Sequence, residues 1–133
     1  MKISSSDRRC WISIERPAGA HPHAAFAVEA SVQIGHGRFH ARNSDIHWTN
    51  GQEFSKDLDK FMTNRGLRPR LKGTYDSFIG FSGSATSVML EFAVGDAFVG
   101  DRTHQYLLCG SFDVEHDRLL SIIDEFIAFT KEA

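Results

Sequence analysis

Seven histidines are the first residues in this sequence that could carry chemistry, because neutral imidazole is a common ligand for zinc and related ions. His21 and His23 flank a proline, His36 and His40 bracket a glycine-bearing turn, and His47, His104 and His116 stand far apart. None falls in a His-Glu-x-x-His or Cys-x-x-Cys spacing that would aim several ligands at one point, so scattered surface histidines and no metal are expected. Two glycine pairs, Gly35 with Gly37 and Gly80 with Gly83, lie near strand-like segments and could cradle a phosphate. The first opens a strand rather than a helix and has His40 where a third glycine belongs. The second lacks Gly-Lys-Ser/Thr, so both read as hairpin turns and no cofactor is expected. Cys109 near His104, or Ser77 beside Asp76, could be parts of a nucleophilic site, but neither has a nucleophile elbow and Cys109 falls inside a strand as a buried small hydrophobe. Glu53, Asp57 and Asp59, like Asp124 and Glu125, sit on helix faces where carboxylates are normally just solvated, so no catalytic residue is assigned.

Charge narrows the partners. Fifteen basic against seventeen acidic side chains leave a net charge of −2, which offers no global field for nucleic acid or an anionic membrane. Arg65, Arg68, Arg70 and Lys72 make a local basic patch, with Arg8 and Arg9 elsewhere. No aromatic residues interleave with them, and a charged edge strand accounts for the four. The opening residues lack a signal-peptide core and no apolar run is long enough to span a bilayer, so a cytoplasmic protein with reduced Cys10 and Cys109 is expected.

What remains is surface recognition. Tyr75, with Asp76 beside it in a Gly-Thr-Tyr-Asp-Ser turn, and Phe98-Val99 in a long loop are the residues hardest to place in a core by periodicity. Loop aromatics are typical anchors for a protein partner, so Tyr75, Asp76, Phe98 and Val99 are the candidate partner-binding residues.

The elements that must position them are legible from periodicity. Ile3–Ser5 and 10–16 read as one interrupted strand. Phe26, Val28, Ala30, Val32 and Ile34 alternate as a half-buried strand that turns back at Gly35-His36-Gly37. The return strand has Phe39 and Ala41 at odd positions but Ile46 and Trp48 at even ones, which predicts a bulge within 43–45. Thr49 with Gln52 predicts a capping box, Phe54, Leu58, Phe61 and Met62 predict one apolar helical stripe, and Gly66 supplies a left-handed stop before Pro69. Arg68, Arg70 and Lys72 alternate on an edge strand. Strands follow at 77–81 and 88–94, then a loop over 95–103, then a strand from His104 to Phe112 whose two apolar faces place it centrally. Leu119, Ile122, Ile123, Phe126 and Ile127 predict a closing helix. The sum is one domain over 1–133 of the α+β class: a single antiparallel sheet of about six strands with two helices, 49–65 and 116–131, on one face.

The order Phe54-x3-Leu58-x2-Phe61, then Leu71-Lys72-Gly73-x2-Asp76-Ser77-Phe78, an alternating strand, and a last strand ending Phe112-x-Val114 before Leu119-Leu120 resembles small bacterial immunity proteins paired with wall-associated polymorphic toxins, and an adjacent bacterial family of unknown function. The likeness spans 24–129. It implies a non-enzymatic bacterial binding protein that neutralises a cognate toxin by direct contact, with no family catalytic residues to carry over. The alternative is a small-ligand-binding or hydrolytic domain with a pocket between helix and sheet near Trp48, His104 and Cys109. Monomer and homodimer, the latter joined through exposed edges, are both open.

Overall fold

The computed structural model describes residues 1–16, 25–84, 86–98 and 104–131; His21, His23 and Val99 lie outside these ranges. In chain order come β1 (Lys2–Ser4), β2 (Cys10–Glu15), β3 (Phe26–Ile34), β4 (Gly37–Ile46), α1 (Gly51–Phe61), β5 (Arg70–Lys72), β6 (Phe78–Gly83), β7 (Val88–Phe98), β8 (His104–Asp113) and α2 (Leu119–Lys131), a 3₁₀ turn at His116–Arg118 leading into the last.

The class is α+β, but the single sheet of about six strands is not what forms. Two four-stranded antiparallel sheets are present, β1-β2-β3-β4 and β5-β6-β7-β8. Single bridges join them at Ser5 with Val114 and at Trp48 with Gly73. Two local causes explain the extra strands. The N-terminal stretch folds back on itself, because Asp7 Oδ1 accepts from Ser5 Oγ at 2.6 Å and from the Arg9 amide at 3.0 Å. Arg8 completes that turn at φ 61°. The chain then leaves the first sheet after Ile46 through α1, so β5 starts a second sheet instead of extending the first.

The bulge lies within the span the phase slip predicts. Phe26 pairs with Ile46 and Val28 with Asn43, so three steps on β4 oppose two on β3. The first helix is shorter than 49–65. Its N-cap is Asn50, whose side chain makes no capping bond. Instead Asn50 Nδ2 donates to the Arg70 carbonyl at 2.8 Å and its Oδ1 accepts from the Lys72 amide at 2.7 Å. Thr49 Oγ1 likewise donates to the Lys72 carbonyl at 3.2 Å, so polar side chains at the predicted helix start serve the edge of β5. The helix ends at Phe61 because the amides of Thr63 and Asn64 both turn back to the Lys60 carbonyl. Gly66 is not left-handed.

Packing, rather than capping, holds the helices. A side-chain cap contributes about 1 kcal/mol, whereas each fully buried phenylalanine contributes roughly 1.5–3 kcal/mol. Phe81 on β6 meets Phe54 and Phe61 of α1 at ring distances of 6.4 and 6.5 Å and Phe126 of α2 at 5.6 Å. One turn along α2, Phe129 meets Phe26 of β3 at 4.7 Å. Helix α2 therefore touches both sheets and does not merely lie over one face. The buried sheet faces carry Ile3, Ile12, Ile14 and Val28 on one side and Leu71, Ile79, Leu90 and Phe92 on the other.

Two strands differ from expectation in ways that bear on function. β7 continues to Phe98 instead of ending at Val94, and its pairing with β8 runs to Phe98 opposite His104. β8 is not central: it is an edge, with Tyr106 69% and Leu107 48% exposed and Cys109 exposed rather than buried. Apolar residues on both faces imitate the pattern of a covered strand, yet among the described residues only β7 pairs with it along its length.

Candidate functional site

The predicted turn at 73–77 forms, and among the described residues it is one of two places where the two sheets are joined. Tyr75 and Asp76 both adopt the left-handed region, at φ 57° and 58°. That conformation is costly for residues with a Cβ and persists only where surroundings enforce it. The enforcement is visible on both sides. Tyr75 Oη donates to Asp45 Oδ2 at 2.8 Å, and Thr74 Oγ1 accepts from the His47 amide at 3.1 Å. On the other flank Gln105 Nε2 donates to Asp76 Oδ2 at 3.1 Å, and Ser77 Oγ accepts from the Gly95 amide at 2.9 Å. Asn43 closes the circuit from the bulge, donating its Nδ2 to the Gly95 carbonyl at 2.8 Å while its Oδ1 accepts from the Asp45 amide at 2.8 Å. The bulge thus turns Asn43 and Asp45 toward the second sheet, and Gly95 lets the Tyr75 carbonyl approach β7: a Cβ there would sit 1.9 Å from that oxygen.

The sequence-predicted partner residues are partly gathered here. Asp76 reaches Gln105, which pairs with Ala97, next to Phe98 at the end of β7. Tyr75 is half-buried and Asp76 exposed, and both have structural partners that the sequence does not reveal. Asn43, Asp45, Asp96 and Gln105 are the members that sequence reasoning missed. The phase slip at 43–45 was the one signal that could have pointed to the first two. The hydrogen bond to Asp45, followed by that carboxylate's charge, holds the Tyr75 phenol above its ordinary pKa, with Asp96 adding to the effect.

A cleft of about 400 Å³ adjoins the junction, between β4 on one side and β7 and β8 on the other. Ala41, Val94 and Leu108 give it apolar walls, and Arg42, Asp96 and Tyr106 give it polar ones. Beside it, on the outer face of the first sheet, Glu29 accepts from His40 at 2.6 Å and Arg42 at 3.2 Å. The hydrogen bond to His40 is the main reason the Glu29 carboxyl lies below its usual pKa. At the far end of the same arm, Ile34 is 68% and Phe39 54% exposed. Phe39 pairs with Val32 and Ile34 with Gly37, so the two stand diagonally on the face that continues the core, just past the last buried residue.

Among the described residues no group of three or more His, Cys, Asp and Glu is placed to hold a metal ion. Ser77 Oγ is committed to the Gly95 amide. Trp48 lies beside Gly73, next to β5, whereas His104 and Cys109 are on β8 at the opposite edge of that sheet, so the three do not share a pocket. Of the basic patch, Arg65 stacks on Phe61 at 4.9 Å and Arg70 on Phe78 at 3.6 Å. Among the described residues no helix is long and apolar enough to cross a membrane. Comparison with known protein families, curated proteins and solved structures finds no match to this chain.

Proposed function

We propose that this chain is a non-enzymatic bacterial binding protein, acting in the cytoplasm as an immunity protein that neutralises a cognate toxin by direct contact. The observation that carries the reading is the bare pair Ile34 and Phe39 on the β3–β4 arm. Two large apolar side chains projecting together from one face of a hairpin suit a partner surface that offers an apolar recess. The 73–77 turn, with Tyr75 and Asp76, and the end of β7 at Phe98 form a second contact region for the same partner. Co-expression with the product of the neighbouring gene tests it: rescued growth and a stable complex, weakened at least about 100-fold by Ile34→Asp with Phe39→Asp, are expected. No rescue and no complex would sink the reading.

A second reading, a small-ligand-binding domain, draws support from the cleft beside Leu108 and Tyr106, whose volume is within the range of small-molecule sites. A ligand that raises the melting temperature of the wild type but not of Leu108→Arg would favour it over the first.

A further inference from the structure

We infer that β8 is the seam of a symmetric homodimer, paired antiparallel with β8 of a second copy about a twofold axis at Leu108. This goes beyond the proposed function and does not depend on it.

Among the described residues the sheets have four edges, and three are guarded. β1 is three residues long and carries Lys2. β5 is equally short, carries Arg70 and Lys72, and has its free side bonded to Thr49 and Asn50. β4 is long but carries Arg38, His40, Arg42 and Asp45. β8 is also long, yet it has no charge and no proline from Gln105 to Phe112. A long, neutral, apolar edge left bare invites strand addition, and proteins normally avoid one.

The backbone fixes which groups are available. The Val114 amide donates to Val88 on the β7 side at 2.9 Å, whereas the Asp113 carbonyl accepts from Ser6 on the other side at 3.2 Å. Alternation of period two then directs the N–H and C=O groups of Ser111, Cys109, Leu107 and Gln105 to the free edge. Asp113 is already used, so these four residues define the usable edge, and its midpoint is Leu108. An antiparallel copy centred there pairs Gln105 with Ser111 and Leu107 with Cys109, each twice, and uses all four donors and acceptors. Polar residues oppose polar, apolar oppose apolar, bulky Tyr106 opposes Gly110, and no like charges meet. Centring on Leu107 would set Gln105 against Cys109; centring on Cys109 would set Leu107 against Ser111 and Gln105 against Asp113. Neither matches as well. The occupant is a second copy because the edge offers no charge with which to select a foreign strand, while its own sequence complements itself in this one register.

Sedimentation equilibrium across the micromolar range, with Leu107→Lys as the comparison, tests the inference. The wild type should run at twice 14.9 kDa, and the variant, whose side chain is already half exposed, should run as a monomer with an unchanged circular dichroism spectrum. In a Cys10→Ser background, Leu107→Cys should give on mild oxidation a covalent dimer in which the introduced thiol is linked to Cys109 of the second copy, mapped by peptide mass. A monomeric wild type, or a dimer indifferent to Leu107→Lys, overturns the seam. A crosslink only between identical positions overturns the register.

Discussion

Tyr75 donates its hydroxyl to Asp45 across 2.8 Å, fastening a left-handed turn of one sheet to the bulged strand of the other. The bond favours the neutral phenol, so its folded-state pKa lies above the ordinary 10.0. A raised value means stabilisation that is complete below pH 10.0 and is lost as pH climbs through the folded value. Wild type should therefore be more stable than Tyr75→Phe near neutral pH, and the gap should close in alkali. Urea unfolding of both proteins at neutral and alkaline pH checks this; a gap that stays constant would refute it.

Asp76 tests the cost of the turn. Asp76→Val places a β-branched residue at φ 58° and should destabilise by about 1–3 kcal/mol. Asp76→Gly relieves the conformation while losing the Gln105 contact, and should fall within about 1 kcal/mol of wild type. Denaturant midpoints measure both, and equal losses would show that backbone conformation is not the deciding factor.

Gly95→Ala is the most damaging single methyl in the junction. Its Cβ would meet the Tyr75 carbonyl at 1.9 Å, and that oxygen belongs to backbone held on both sides. A loss of about 3 kcal/mol or more is expected, read as a fall in melting temperature or in soluble yield. A wild-type melting temperature would mean that the turn yields freely.

Asn43→Ala leaves the buried Gly95 carbonyl and the Asp45 amide without their partner. About 1–3 kcal/mol should be lost. Hydrogen exchange should quicken in the 43–47 segment and around Gly95 together, because one side chain bonds both. Exchange confined to β4 would show the segments to be independent.

Phe126 joins the two helices to the second sheet through Phe54 and Phe81. Phe126→Ala should cost about 3–5 kcal/mol, since the rings around a fully buried side chain cannot collapse to fill the space. Thermal unfolding would reveal it.

Where side-chain periodicity alone decides the outcome, the sequence was a sufficient guide. The alternation of Phe26 to Ile34 fixes a half-buried strand, Gly35 makes its turn, and the change of phase between Ala41 and Ile46 marks the bulge, because side chains must face the core or water every second residue. The stripe of Phe54, Leu58 and Phe61 and that of Ile122, Ile123 and Phe126 require two amphipathic helices for the same reason. What periodicity cannot encode is which strand lies beside which. The division into two sheets, the place of β8 at an edge and the clasp of Tyr75 on Asp45 all depend on partners distant in the chain, and were decided only by tertiary packing. The capping sequence at 49–52 shows the competition directly: its polar side chains could have served their own helix, and the unpaired backbone of β5 took those of Thr49 and Asn50 instead.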